Sequence, residues 1–135
     1  MLRPLPIFLA ALALSACAKA VKQAKAQTPL ATLAGSEWGP EGAPDSRQFI
    51  AFKSEGEVIG HGGCNRFFGS YELEGKALRF GPLASTRMAC ADMKSEHDFM
   101  SALQSARAID ATHLHLTLLG EGGEVVMTLR RRDWD

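Results

Sequence analysis

The sequence predicts a mostly β, α+β domain: a small antiparallel barrel or strongly curled sheet with one helix inserted near residues 92–108. Three observations carry this reading. From Gly35 onward, short stretches rich in aromatic and β-branched residues are separated by glycine-containing turns. One later stretch, opening at Asp92, places apolar residues at helical spacing instead. After it the chain returns to strict two-residue alternation, so strands and helices do not alternate as they do around a parallel sheet.

Residues 48–52 (Gln-Phe-Ile-Ala-Phe) form the first strand of this pattern. The turn Ser54-Glu55-Gly56-Glu57 leads into a hairpin partner over 57–61. The next strand, 67–73, sets Phe67, Gly69, Tyr71 and Leu73 on one side, and Glu74-Gly75-Lys76 turns it into 77–80. Pro82 and the small residues after it interrupt the strand pattern. In the helix Phe99, Leu103 and Ala106 share a face, and either Asp92 or Ser95 can cap it, the latter with Asp98 as a capping box. Leu114, Leu116 and Leu118 then alternate with His113, His115 and Thr117, which places both histidines on a solvent face. Gly120-Glu121-Gly122-Gly123 turns into a last strand over 125–130. Trp38, Phe49, Phe52, Phe68, Tyr71 and Phe80 are expected in the core, or lining an apolar pocket if the barrel is open at one end.

The chain begins differently. Arg3 supplies a positive start, residues 7–14 an apolar run, and Leu14-Ser15-Ala16-Cys17 a small-residue cleavage site, the three parts of a signal peptide. The run is far short of the roughly 18 residues a spanning helix needs. Leu-Ser-Ala-Cys resembles the bacterial lipobox, which implies that residues 1–16 are removed and that Cys17 carries a lipid. In the sorting rule of such lipoproteins, Asp after the cysteine retains the protein at the inner membrane. Ala18 stands here, so the expected location is the outer membrane, facing the periplasm. Residues 17–32, with Lys19, Lys22, Lys25, several alanines and Pro29, read as a flexible tether to a domain over 33–135.

Charge excludes one class of partner. Lysine plus arginine number 15, and aspartate plus glutamate also 15. Loss of Arg3 leaves the mature chain at about −1, with no electrostatic case for nucleic-acid binding. Arg130-Arg131-Arg132 is a local exception, read as a solvated strand end or as a contact for anionic lipid headgroups.

Two phrases stand out together: Gly60-His61-Gly62-Gly63-Cys64-Asn65-Arg66-Phe67-Phe68-Gly69-Ser70-Tyr71 and Leu83-Ala84-Ser85-Thr86-Arg87-Met88-Ala89-Cys90. They resemble the META domain, the HslJ-like family, and the order of Trp38, the Phe-containing strand, Glu96, Phe99 and a final hairpin agrees. The motif positions are Gly63, Cys64, Asn65, Gly69, Tyr71, Thr86, Arg87, Met88 and Cys90. The resemblance implies a compact barrel-like domain of bacterial envelope lipoproteins, associated with stress and antibiotic tolerance. It names a fold and a compartment, and no reaction.

With Cys17 acylated, Cys64 and Cys90 are the remaining cysteines, and in an oxidising periplasm their pairing is the simplest assignment. Such a bridge adds roughly 3 kcal/mol. Two buried reduced thiols are the alternative. His61, Cys64, Cys90 and His97 have zinc-ligand chemistry without any standard spacing. Cys64 with His61 or His97 as base has no second signature of acyl transfer. Asn65 is expected to cap its own turn, and Arg66 and Arg87 to pair with Glu37, Glu72 or Glu96.

The functional expectation is therefore a non-enzymatic, stress-associated binding or stabilising module without cofactor or metal. It would meet the membrane through Cys17, and envelope proteins or an apolar ligand through its surface. The alternative is an inhibitor of an envelope-targeting hydrolase such as lysozyme, with residues 84–91 as the inserted loop.

Overall fold

The computed structural model describes residues 32–133. The proposed signal segment, Cys17 and nearly all of the proposed tether lie outside the described residues. The strands are β1 (Ser36–Pro40), β2 (Phe49–Phe52), β3 (Glu57–His61), β4 (Arg66–Glu74), β5 (Ala77–Phe80), β6 (Ala84–Ser85), β7 (Ala108–Ala111), β8 (His115–Leu119) and β9 (Val125–Arg131). One helix, α1 (Met93–Ser105), lies between β6 and β7. Neighbours pair in the order β3-β2-β1-β9-β8-β7-β5-β4-β6, every pairing is antiparallel, and β3 also pairs with β4. That last pairing closes eight strands into a barrel, with β6 an outer appendage on β4. Closure satisfies the edges an open sheet would leave exposed.

Alternation decides what fills the barrel. Trp38, Ile50, Phe52, Val58, Phe67, Leu78, Leu116, Leu118 and Leu129 point inward and are fully or nearly fully buried. Their side chains pack the interior as a core, so the barrel is not an open pocket. Trp38 can be buried because its indole N–H donates to Ser36 Oγ at 2.7 Å, and Ser36 Oγ in turn donates to the carbonyl of Leu33. Phe52 meets Tyr71 edge-on at 4.9 Å.

The helix lies across the end of the barrel where β1, β3 and β8 finish. Its N-terminal turn meets the chain around Gln48 and Asn65, and Arg107, just past its end, donates its N–H to Leu119. Of the two cap candidates Asp92 is used: its Oδ1 accepts the N–H of Ser95 at 3.0 Å. Lys94 instead takes Asp98 in an i,i+4 ion pair. Glu96, Phe99 and Leu103 form the buried stripe.

Several expectations need correction. The helix stops at Ser105, not at 108, because Ala106 is already extended and β7 begins at Ala108. β1, β6 and β7 are strands that alternation did not single out, because Ser-Glu-Trp-Gly-Pro, Ala-Ser and Ala-Ile-Asp-Ala each hold at most one large apolar side chain. Phe68 is 59% exposed and faces outward, the opposite side from Phe67. Phe49 is half-buried beneath Arg132. His113 precedes β8 and is half-buried, whereas His115 does lie on the outer face of β8, its Nδ1 3.6 Å from Glu41.

Candidate functional site

The two motif phrases meet. The turn between β3 and β4 carries Gly63, Cys64 and Asn65, and the segment after β6 carries Thr86, Arg87, Met88 and Cys90. Pairing of β6 with the start of β4, Phe67 opposite Ser85, brings the segments side by side. A disulfide joins Cys64 to Cys90, with Cα atoms 5.9 Å apart. The thiols are thereby consumed, which removes both the nucleophile and the sulfur ligands of the alternative readings.

Asn65 is the hub, and it does not cap its own turn. Its amide nitrogen donates to Glu96 Oε2 at 2.7 Å and to the Met88 carbonyl at 3.1 Å. Its amide oxygen accepts from the Met88 N–H at 2.6 Å and from Thr86 Oγ1 at 2.9 Å. Every hydrogen-bonding position of the side chain is engaged, as a buried amide requires. Thr86 Oγ1 also accepts the N–H of Arg66.

Glu96 completes the cluster from the helix. Its Oε1 accepts the backbone N–H groups of Cys64 at 3.1 Å and Asn65 at 2.6 Å. Burial pushes this carboxyl toward protonation, but the hydrogen bonds from the Asn65 side chain and from the two backbone N–H groups outweigh it and hold the pKa below the ordinary glutamate value. Gly62 makes the approach possible: a Cβ there would stand 2.7 Å from Glu96 Cγ and Oε1. Gly63 has φ of 120°, a conformation glycine adopts without penalty. Gln48 Nε2 donates to the Gly62 carbonyl and to Ser95, tying the same turn to the helix. Gly69 and Tyr71 lie further along β4, Gly69 against Leu83 and Tyr71 with its hydroxyl donating to the Lys53 carbonyl.

Arg66 and Arg87 make no ion pair among the described residues; Glu37 takes Arg132 instead, at 3.7 Å. Arg47, Phe49, His61, Arg66, Met88 and Arg132 line an open hollow of about 660 Å³ beside the turn. The Arg132 guanidinium lies 5.3 Å over the Phe49 ring. His61 Nδ1 accepts the N–H of Gly63, so the proton of the neutral ring sits on Nε2. Its pKa is lowered by burial and by the charges of Arg47 and Arg66, with Glu96 acting in opposition.

Glu96 and Gln48 escaped assignment to the cluster, yet Glu96 carried a signal. It stands three residues before Phe99 and seven before Leu103, inside the stripe that faces the core, and a carboxylate there must find donors.

A family model for the META domain matches residues 30–133. The chain belongs to the META domain family. Of its motif positions, Cys64 and Asn65 bond the helix through Glu96, and Asn65 bonds Thr86 and Met88 of the second loop. The domain is similar in structure to a protein from Burkholderia xenovorans solved by NMR, at 22% identity, TM-score 0.62, covering 76% of this chain and 85% of that one. It is also similar to a second NMR structure at 24% identity and TM-score 0.56, covering 74% and 90%. A crystal structure of a DUF4847 family protein from Bacteroides vulgatus follows at 20% identity and TM-score 0.53, covering 69% and 66%. These likenesses show a shared fold. No curated protein matches.

Proposed function

We propose that this META domain is a non-enzymatic envelope module, anchored through Cys17 to the outer membrane and facing the periplasm, that binds through its outer surface. The observation that carries the reading is the state of the two remaining cysteines. Cys64 and Cys90 are joined, which suits an oxidising compartment and leaves Cys17 as the odd cysteine, in a lipobox-like setting. The packed interior supports the choice of surface over cavity, since Trp38, Phe52 and Leu129 occupy the space a small apolar ligand would need. Mass spectrometry of the protein extracted from membranes tests it. A diacylglyceryl adduct on Cys17 as the new N-terminus, with Cys64 bridged to Cys90, is expected; an unmodified, soluble chain overturns the anchor.

A second reading has a specific observation in its favour. Residues 84–91 are exposed throughout, yet they are held at Ser85, Met88 and Cys90. A rigid, exposed segment is what an inhibitor needs to enter an enzyme cleft without a large ordering cost. Full lysozyme activity in the presence of excess domain would dismiss the inhibitor.

A further inference from the structure

The outer face of β2, β3 and β4 is basic and apolar at the end next to the β3–β4 turn, while Glu57 and Glu72 stand toward its other end. In register, Phe49 stands opposite His61, His61 opposite Arg66, and Ile59 opposite Phe68, so these side chains form one contiguous outward patch. Phe68 and Met88 are each 59% exposed and Ile59 is 40% exposed. Arg47, Arg66 and Arg132 border the same face, and only Arg132 has a carboxylate partner among the described residues.

We propose that this basic, apolar face docks the domain onto an anionic phospholipid surface. The chemistry is complementary at two levels. Guanidinium groups match headgroup phosphates, while Phe68, Ile59 and Met88 match the acyl and glycerol region just below them. Exposed apolar side chains are costly against water, and an interface that is charged outside and apolar within buries them while the bordering arginines meet phosphates. The proposal deepens the envelope reading, on which it rests for its location, but the vesicle contact itself needs no acyl group.

The test therefore omits Cys17. Residues 30–135 contain all the described strands, the helix, the disulfide and the buried core of the described residues, and include the full span of the family match. Flotation of this domain with phosphatidylcholine vesicles, with and without phosphatidylglycerol, is compared across two matched double variants. Arg47→Ser/Arg66→Ser lies on the proposed face, and Lys76→Ser/Arg79→Ser removes the same charge from exposed positions elsewhere on the barrel. Binding that requires phosphatidylglycerol is expected, falling roughly thirtyfold in the first variant, two residues at about 1 kcal/mol each, and little in the second. Phe68→Ser/Met88→Ser should weaken it as well, while Arg47→Lys/Arg66→Lys keeps it. Equal loss in the two charge variants, equal binding to neutral vesicles, or absence of vesicle binding overturns the proposal. So does binding of inorganic phosphate alone at this face, which would make it a small-anion site. Acylation at Cys17 is read separately by mass, so either result can fail without the other.

Discussion

Glu96 reaches Asn65 across 31 positions of sequence and binds it twice, accepting its backbone N–H at 2.6 Å and its side-chain amide at 2.7 Å. The same Asn65 side chain holds Met88 and Thr86, so one carboxylate on the helix and one amide in the β3–β4 turn secure three separate segments. The cost of burying Glu96 is met by three donors, and the cluster therefore behaves as a unit.

Replacing Glu96 by glutamine should be costly despite the near-identical shape. An amide oxygen can still accept from Cys64 and Asn65, but an NH₂ group would face the Asn65 NH₂, which cannot turn without abandoning Met88 and Thr86. A loss of about 2–3 kcal/mol is expected, read as a lower urea midpoint.

Acid should act through the same carboxylate. Because the folded pKa of Glu96 is lowered, its contribution is fully present above the ordinary value of 4.5 and is lost as pH falls through the lowered folded value. Stability measured from about pH 5 to about pH 3 should fall less steeply in Glu96→Gln than in the natural chain. Identical slopes would show that other carboxylates dominate.

Removing the bridge with Cys64→Ser/Cys90→Ser should cost about 3.5 kcal/mol, the value for closing a loop between cysteines 26 positions apart. The Asn65 hydrogen bonds tie the same segments, so circular dichroism should still report the native sheet. A chain that is unfolded without the bridge would assign the disulfide a larger share than the hydrogen-bond network.

Adjacent phenylalanines should behave oppositely. Phe67 is 2% exposed and packs toward Phe99, whereas Phe68 is 59% exposed. Phe67→Ala is expected to cost about 3–5 kcal/mol, and Phe68→Ala to stay within about 0.5 kcal/mol, in thermal or denaturant unfolding.

Gly62→Ala should strike the cluster from the backbone side. The added methyl meets Glu96 at 2.7 Å, and the carboxylate has no slack while it holds three donors. A loss of about 1–3 kcal/mol is expected, and much less in a Glu96→Ala background, where the obstacle is gone.

The limits of the sequence reading follow from element length and from direction. The β2–β3 hairpin and the β4–β5 pair were legible because alternation and glycine turns act over neighbouring residues. β6 and β7 were not, since β6 has two residues and β7, Ala-Ile-Asp-Ala, carries a single large apolar side chain, too little to show a period. Phe68 was placed in the core on hydrophobicity alone, although its neighbour Phe67 already occupied the inward side of the strand.

By itself the sequence determined the fold class, the single late helix and the shared face of Phe67, Gly69, Tyr71 and Leu73, and it left Cys64 and Cys90 as either a bridge or two reduced thiols, which the structure decides as a bridge. The first three depend on local periodicity and local turn chemistry. Only the tertiary structure decided that the barrel is closed and filled, that Glu96 is the acceptor for the Asn65 turn, and that Arg47, Arg66 and Arg132 share one face. The physical reason is distance along the chain. Register between strands and the docking of the helix bring together groups that no local spacing relates, and burial then selects which polar side chains must find each other.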